Sequence, residues 1–358
     1  MAERKFLPET HLAEFIGSLP ARSKFVNTSA QQSSVWKAPD KAHPERMSEG
    51  LRRARPFNSF KSALLPAREV LARYGARELE DPLDEAAERT VALVGVRGCE
   101  SRALAYLDKV MLSEPVADPF YAARRRNTII VCVDCAQAAS TCFCNLLGEK
   151  AYAEGLFDVN LSPVKEGYLL EAGSDRGREI LEASRNLLSE VTGAHLEELE
   201  AMRAAAAEQL ERQNAEYRFP EDIKDALPKT IEEVFWRSEL SECVQCGGCV
   251  AVCPTCYCFL LYDRQAGAEG YERVRVWDCC QFTGYTPMAG PPGTRKPDPR
   301  RTHMNKFQHR FAHKFWYDPT NWGVLGCVGC GRCGETCPGS IDLRRVLSAV
   351  KEKVAGNA

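Results

Sequence analysis

Two cysteine runs constrain the fold of this 358-residue chain more than any other feature of its sequence. Both have the spacing C-x2-C-x2-C-x3-C-P, which in bacterial ferredoxins holds [4Fe-4S] clusters. The eight cysteines are Cys243, Cys246, Cys249 and Cys253 in the first run and Cys327, Cys330, Cys333 and Cys337 in the second. A doubled run of this kind predicts a ferredoxin-like domain in the C-terminal part of the chain.

The spacing also predicts which cysteines share a cluster. In two-cluster ferredoxins the cysteine that precedes the proline binds the cluster of the other run. The first cluster is therefore expected on Cys243, Cys246, Cys249 and Cys337, and the second on Cys327, Cys330, Cys333 and Cys253. Zinc also binds C-x2-C pairs, but it needs four ligands, and three evenly spaced cysteines followed by Cys-Pro, twice, do not suit it.

Four further cysteines follow two predicted buried strands. The apolar runs TVALVGV (90–96) and NTIIVCV (127–133) are typical of parallel strands, and residues 101–111 fit a crossover helix between them. Sites in such sheets lie beyond the carboxyl ends of the strands. The cysteines expected to meet there are Cys99, Cys135, Cys142 and Cys144. We expect a third iron-sulfur cluster, with redox-sensing or inert thiols and zinc as the alternatives.

Cys256, Cys258, Cys279 and Cys280 lie outside the ferredoxin pattern. They are candidates for a further metal site, with Cys256, Cys258 and Cys280 as its possible ligands, or for apolar neighbours that shield the main clusters. The paired Cys279 and Cys280 resemble the CCG element of heterodisulfide reductases, although Gln281 replaces the glycine. Cys132 lies on a predicted strand and is expected to be a small buried hydrophobic residue.

Composition and the N-terminal sequence indicate the compartment. The chain has 17 cysteines, 44% hydrophobic residues and a formal net charge of -2. The first twenty residues are too polar for a signal peptide, and no run approaches the ~18 apolar residues of a membrane span. A reducing cytoplasm is therefore expected, where cysteines serve metals or redox chemistry. The charge balance does not favour nucleic acid as a partner.

Outside the cysteine segments, hydrophobic spacing predicts several elements. Helices are expected over 9–19, 66–74 and 340–354, and 176–218 is expected to form a helical hairpin. Residues 168–170 are a candidate third strand, and 21–62 show no steady period and are expected to be extended. No P-loop, dinucleotide fingerprint or catalytic triad is present. Whether the chain is itself an enzyme stays open, and no independent active site is predicted.

Residues 300–317, RRTHMNKFQHRFAHKFWY, combine basic and aromatic residues. We expect a helix whose Phe307, Phe311 and Phe315 pack onto the ferredoxin-like domain while its cations cover the rim. A basic docking surface for an acidic partner or a flavin phosphate, an RNA-binding patch and a metal pair on His309 and His313 are the alternatives.

Several ordered segments resemble one protein family. They are RPFNSFKSALLPARE (55–69), GVRGCESRAL (95–104), DPFYAARRRNTIIV (118–131), CFC (142–144), CVQCGGCVAVCPTCYCF (243–259), WDCCQFTG (277–284), HRFAHKF (309–315) and CVGCGRCGETCPGSID (327–342). Together they resemble the iron-sulfur beta subunit of soluble sulfhydrogenase-type [NiFe] hydrogenases and the A subunit of anaerobic sulfite reductase.

The resemblance implies a cytoplasmic electron-transfer subunit of a multi-subunit oxidoreductase. Such a subunit relays electrons between a flavin subunit that uses NAD(P)H and a separate hydrogenase, sulfite reductase or heterodisulfide-reductase-like module. The resemblance also supports Cys99, Cys135, Cys142 and Cys144 as one matched set. The alternative is a catalytic subunit that reduces sulfur or disulfides at a special cysteine-ligated cluster.

The expected fold is a mixture of α+β and α/β parts. Four domains are predicted: N-terminal helices and an extended arm (1–89), an α/β domain with the third cluster (90–175), the helical hairpin (176–228), and a mainly helical two-cluster ferredoxin-like domain with a long insertion (229–358).

Overall fold

The fold combines helices with two β-sheets, which confirms the expected mixed class. The structure is a computed structural model, and it describes residues 4–28, 35–37, 44–75, 79–80, 82–88, 90–231, 234–267, 270–291, 294 and 297–356. Its strands, numbered along the chain, are β1 (Arg4–Pro8), β2 (Ser23–Thr28), β3 (Val35–Lys37), β4 (Arg68–Gly75), β5 (Leu79–Glu80), β6 (Val91–Val96), β7 (Thr128–Val133), β8 (Val159–Val164), β9 (Gly167–Ala172), β10 (Phe259–Ala266) and β11 (Gly270–Trp277).

The α-helices are numbered in the same way. They are α1 (Leu12–Ser18), α2 (Pro44–Arg52), α3 (Lys61–Leu64), α4 (Leu83–Ala87), α5 (Gly98–Met111), α6 (Pro119–Arg126), α7 (Asp175–Ala183), α8 (Gly193–Gln213), α9 (Ile223–Ala226), α10 (Trp236–Glu239), α11 (Gly248–Ala251), α12 (His303–Ala312), α13 (Asp318–Trp322), α14 (Arg332–Glu335) and α15 (Leu343–Gly356). Short 3-10 helices span Glu9–His11, Cys144–Leu147, Arg185–Leu187 and Leu227–Thr230, and a π-helical segment spans His313–Tyr317.

The chain divides into two compact units. The first unit contains Met1–Leu64, Leu83–Ala215 and Val328–Cys330. The second contains Leu65–Pro82, Glu216–Cys327 and Gly331–Ala358. Each unit is described by itself.

The first unit is built on a seven-stranded sheet in the order β1-β9-β8-β7-β6-β2-β3. The strands β2, β6, β7 and β8 are parallel neighbours, and the remaining pairs are antiparallel. The predicted strands at 90–96 and 127–133 are β6 and β7, and they are buried along almost their whole length because helices cover both faces. The predicted strand at 168–170 is β9, whereas β8 was not predicted.

Alternation of side chains along the strands divides the core of this unit into two faces. One face carries Ala92 and Val94 of β6 together with Ile129 and Val131 of β7, and apolar residues of α1, α2 and α7 pack over it. On the other face, Leu199 of α8 packs with residues of β1, β8 and β9. The two helices predicted between 176 and 218 therefore pack on opposite faces of the sheet, and the prediction that they form a helical hairpin is wrong.

The second unit holds a four-stranded antiparallel sheet in the order β10-β11-β4-β5. The predicted helix at 66–74 is wrong, because these residues form β4, which pairs with β11 from Gly75 opposite Gly270 to Arg68 opposite Val276. A buried ion pair between Glu69 and Arg275 joins the same two strands. In the first unit, part of the segment predicted to be extended forms α2, which buries Met47 and Leu51.

The rest of the second unit consists of short helices around the two cysteine runs. Phe307, Phe311 and Phe315 are buried, as predicted, and Trp236 of α10 packs against Phe311 with 5.4 Å between the ring centroids. The predicted C-terminal helix is α15, and its Val346, Leu347 and Val350 are buried. Among the residues that the structure describes, no helix is long and apolar enough to cross a membrane.

Candidate metal centres

The two cysteine runs share one local backbone. In the first run the residues with positive φ are Gln245 (55°) and Gly247 (75°), and in the second they are Gly329 (65°) and Gly331 (69°). They hold the same positions relative to the cysteines, and each run then enters a one-turn helix, α11 or α14. Left-handed residues at these points curl the chain into a tight loop, which turns successive backbone amides toward its inside.

One cavity, here called the first cavity, collects cysteines of both runs within the second unit. Its empty space, including the part open to solvent, is about 510 Å³. Its cysteines are Cys243, Cys246, Cys249, Cys333 and Cys337. The structure thus brings together all four cysteines predicted for the first cluster, including Cys337 from the distant run. The rest of the lining is mainly apolar and includes Phe307, Ile341 and Leu343, with Arg310 as its cation.

The cysteines predicted for the second cluster are placed differently. The Cys253 sulfur lies 3.2 Å from the Thr255 hydroxyl, and the same hydroxyl lies 2.6 Å from the carbonyl oxygen of Gly326, the residue before Cys327. The Cys253 sulfur and the backbone directly before Cys327 therefore contact the same threonine. Cys333 contributes to the first cavity, and Cys330 belongs to the first unit.

A second cavity lies in the first unit, and its empty space, including the part open to solvent, is about 360 Å³. The cysteines that line it are Cys99, Cys135, Cys142, Cys144 and Cys330. Cys99 is the second residue of α5, which follows β6 after one residue, Cys135 follows β7, and Cys144 begins a 3-10 helix. The sheet thus gathers the four predicted thiols at the carboxyl ends of its strands.

The electrostatics of the second cavity suit thiols that exchange a proton for a metal. Burial raises the pKa of Cys135 to about 11 and that of Cys144 to about 12. Such thiols hold their protons near neutral pH until a bound cation replaces them. Arg102 and Lys150 also line this cavity and supply positive charge beside the sulfurs.

Two buried polar networks fix the strand ends that carry these cysteines. Asp134, at the end of β7, accepts hydrogen bonds from Asn160, Ser162 and Arg203 at 2.7 to 3.0 Å. Arg97, directly after β6, donates to the carbonyl oxygens of Asp134 and Leu51. Sequence reasoning missed both residues. The only signal was that each is a charged residue at the end of an apolar run, one or two positions before a cysteine.

The four cysteines outside the ferredoxin pattern pack near the first run. Cys279 and Cys280 form a buried cluster with Val250, against which Cys249, Cys256 and Cys258 pack. The hairpin of β10 and β11 brings Cys258 and Cys280 together, because the backbone N–H of Asp278 donates to the Cys258 carbonyl oxygen at 2.9 Å. A hydrogen bond with Cys280, together with burial, raises the pKa of Cys258.

Cys256 and Gln281 contribute hydrogen bonds to neighbouring sulfurs. Cys256 hydrogen-bonds to Cys253, which lowers the pKa of Cys253 well below its usual range. The backbone N–H of Gln281 donates to the Cys279 sulfur at 3.4 Å. Among the described residues, no group of three or more His, Cys, Asp or Glu side chains is placed to hold a single metal ion. A metal site on Cys256, Cys258 and Cys280 therefore stays a prediction.

The cations of the 300–317 segment are placed differently from the prediction. They were expected at the rim, but Lys306, Arg310 and Lys314 are buried. Lys314 lies in the π-helical segment that follows α12, and its ammonium group donates to the Thr255 hydroxyl at 2.8 Å. The His309 and His313 rings stack with 5.5 Å between their centroids.

The comparisons with known proteins agree with this geometry. Residues 242–341 match the family model described as "4Fe-4S dicluster domain". The chain is also 34% identical over 263 residues to sulfhydrogenase 2 subunit beta of Pyrococcus furiosus, an alignment that covers 73% of this chain and 74% of the relative. The chain belongs to the sulfhydrogenase beta subunit family. The resemblance predicted from its motifs is thereby confirmed.

Membership of this family and the dicluster match identify the expected cofactors as [4Fe-4S] clusters. The first cavity fits such a group by its donor set, since five cysteines from the two runs line it, together with mainly apolar residues, two glutamines and one arginine. The buried Nε of Arg310 also makes no hydrogen bond among the described residues, as expected beside a negatively charged group. The second cavity also fits a [4Fe-4S] cluster, because the four predicted cysteine thiols converge there.

Proposed function

We propose that this chain relays electrons between a flavin subunit that uses NAD(P)H and a separate catalytic module of the hydrogenase or reductase type. The observation that carries the proposal is the first cavity, in which Cys337 joins Cys243, Cys246 and Cys249. A cluster bound by these four cysteines would have the cross-ligation expected of a two-cluster ferredoxin. The name of the Pyrococcus furiosus relative, a subunit of a sulfhydrogenase, supports assembly with other subunits.

The proposed ligand sets follow the two runs and the sheet. The first cluster takes Cys243, Cys246, Cys249 and Cys337, the second Cys327, Cys330, Cys333 and Cys253, and a third Cys99, Cys135, Cys142 and Cys144. A bound [4Fe-4S] cluster accepts and releases one electron at a time. No organic active site is needed for such a relay.

The chain's own residues perform three tasks in this proposal. The cysteines hold the iron, and the left-handed residues such as Gln245 and Gly247 turn backbone amides toward the sulfurs. Phe307, Ile341 and Leu343 limit the access of water to the first cavity. Hydrogen bonds and burial of this kind are the means by which proteins set cluster potentials.

The test is purification of the native complex under anaerobic conditions. The proposal predicts a flavin subunit and a catalytic subunit that co-purify with this chain. It also predicts that NAD(P)H reduces the clusters of this chain in the complex but not in the isolated chain, as followed by electron paramagnetic resonance. Clusters that NAD(P)H leaves oxidised in an active complex would contradict it.

A second candidate function is reduction of sulfur or disulfides, and the contact between Cys258 and Cys280 beside Cys279 favours it. It predicts that the isolated chain, supplied with dithionite and a viologen dye, reduces polysulfide or a disulfide. The rate should fall at least tenfold in Cys280→Ser. Absence of turnover by protein with full iron content would exclude this function.

A further inference from the structure

Two buried cations of the second unit face the cysteine runs without an acidic partner. Arg310 and Lys314 are four residues apart, so they lie on one side of the helix, and they are only 6% and 4% exposed. The ion pairs that the structure shows within its described ranges include neither residue. A buried cation that lacks a counter-charge is strongly destabilising. The charge that balances these two residues must therefore come from the groups around them.

Lys314 is directed at Cys253 and Cys327. Its ammonium group donates to the Thr255 hydroxyl and to the Gly326 carbonyl oxygen, both at 2.8 Å. Burial alone would lower the pKa of Lys314, but the neighbouring cysteines Cys253, Cys256 and Cys327 outweigh burial and raise it well above its usual range.

Thr255 connects Lys314 to the Cys253 sulfur. A threonine hydroxyl has one proton to donate, and here it has two acceptors, the Cys253 sulfur at 3.2 Å and the Gly326 carbonyl oxygen at 2.6 Å. Because Lys314 already donates to that carbonyl oxygen, the hydroxyl proton is free to turn to the sulfur when the sulfur carries negative charge. Lys314 is thus linked to the Cys253 sulfur by a hydrogen-bond chain through the Thr255 hydroxyl group.

Arg310 is placed toward both runs. It lines the first cavity with Cys243, Cys249 and Cys333, and its buried Nε makes no hydrogen bond to any described group. The cysteines that raise the pKa of Arg310 are Cys249 and Cys253 of the first run, Cys333 of the second run, and Cys256. Its guanidinium group therefore lies close to ligands of both expected clusters.

We propose that Arg310 and Lys314 are charge-compensating residues that raise the reduction potentials of the two ferredoxin-type clusters, Lys314 acting on the cluster of Cys253 and Cys327 and Arg310 on both clusters. The inference rests on the proposed function, because it needs the clusters. An iron-sulfur cluster bound by four thiolates is negatively charged and becomes more so on reduction. A fixed cation nearby favours the reduced form, and its loss makes reduction harder.

The test is a redox titration of the anaerobically purified chain, followed by electron paramagnetic resonance, with iron measured on the same samples. Lys314→Met should lower the midpoint of one cluster signal, with a change of at least tenfold in the ratio of reduced to oxidised cluster at a fixed potential, or ~59 mV for one electron. Arg310→Gln should lower the midpoint potentials of both cluster signals. Lys314→Arg and Arg310→Lys keep the positive charge, so their midpoint potentials should stay close to those of the wild type.

The matched control is Lys306→Met. Lys306 is a buried lysine on α12, but its ammonium group contacts Thr283 at 3.4 Å instead of Thr255. This variant should leave both midpoints unchanged. Equal midpoints in Lys314→Met and the wild type, at full iron content, would overturn the proposal.

A third variant decides the question if Lys314→Met loses its cluster. Thr255→Val keeps Lys314 and removes only the hydroxyl group between Lys314 and Cys253. It should lower the midpoint potential of the same cluster as Lys314→Met, but by a smaller amount. An unchanged signal in Thr255→Val would then overturn the role of Lys314. Failure of the proposed function itself is distinguishable, because NAD(P)H would then leave the clusters of the native complex oxidised while the midpoints of the isolated variants still shifted as stated.

Discussion

The backbone of Gly329 lies so close to Cys144 that a Cβ atom on Gly329 would stand 2.5 Å from the Cys144 Cα. The backbone N–H of Phe143 donates to the Gly329 carbonyl oxygen at 2.7 Å, which holds the two segments together. Gly329 also has a φ of 65°. Glycine is therefore required at position 329 for two reasons. Its backbone conformation disfavours a side chain, and the C-F-C segment that lines the second cavity leaves no space for one.

Gly329→Ala is expected to disturb the second cavity, because the added methyl group collides with backbone atoms that cannot rotate away. We expect the variant to lose about 4 iron atoms per chain, the content of one cluster. Iron analysis of the anaerobically purified variant checks this.

Gly148→Ala is the control for backbone strain. Gly148 also has a positive φ, 76°, but a Cβ there would meet no atom within 4 Å. This variant should cost ~1–2 kcal/mol of stability and keep its iron. Equal iron content in the two variants would show that the close approach at Gly329 is unimportant.

Cys99 and Cys132 provide a matched pair for the third cluster. Both are buried, but Cys99 lines the second cavity, whereas Cys132 lies within β7 and is not among the residues that line it. Cys99→Ser should reduce the iron content from ~12 to ~8 atoms per chain, and Cys132→Ala should leave it unchanged. A Cys99→Ser protein with the iron content of the wild type would remove Cys99 from the ligand set.

Asp134→Asn should destabilise the first unit. The carboxylate is fully buried and pairs with Arg203 at 2.8 Å, so the substitution leaves the arginine without its counter-charge. We expect a loss of ~3 kcal/mol in the free energy of unfolding, measured by urea denaturation. Glu182→Gln breaks an exposed pair with Arg185 and should cost less than ~0.5 kcal/mol. Similar losses in the two variants would contradict the importance of the buried pair.

The burial of His309 predicts that the folded protein loses stability in weak acid. Burial, with Arg300 and His313 nearby, lowers the pKa of His309 to about 3, against ~6.5 for an unfolded histidine. The unfolded state therefore binds the proton more readily, and stability falls as the pH drops from ~6.5 toward 3. At pH 5.5 His309 should account for a loss of ~1 kcal/mol relative to pH 7.5, which His309→Gln removes. An unchanged pH dependence of thermal unfolding in this variant would contradict the assignment.

The sequence predicted the parts of the fold in which local pattern and burial agree. The strands β6 and β7 are continuous apolar runs, so both the strands and the cysteines at their ends were predictable. The strand β8 was missed because Asn160 and Ser162 interrupt its apolar pattern, although both side chains are buried on Asp134. A buried polar network leaves no periodic signal in one sequence.

The wrong helix at β4 has a different cause. The segment REVLARYG has ordinary helix-forming residues, and its strand conformation depends on pairing with β11 some 200 residues away. The same limit applies to the metal centres. The cysteines were predictable from spacing, but the burial of Arg310 and Lys314 depends on how the helix packs, and the sequence alone placed them at the surface.

The number of iron and sulfide atoms in the anaerobically purified chain tests the central claim most directly. Three [4Fe-4S] clusters predict ~12 iron and ~12 acid-labile sulfide atoms per chain, all in the cubane form by Mössbauer spectroscopy. About 8 of each would leave the thiols of the second cavity without a cluster. Stoichiometric zinc with no sulfide would contradict the account as a whole.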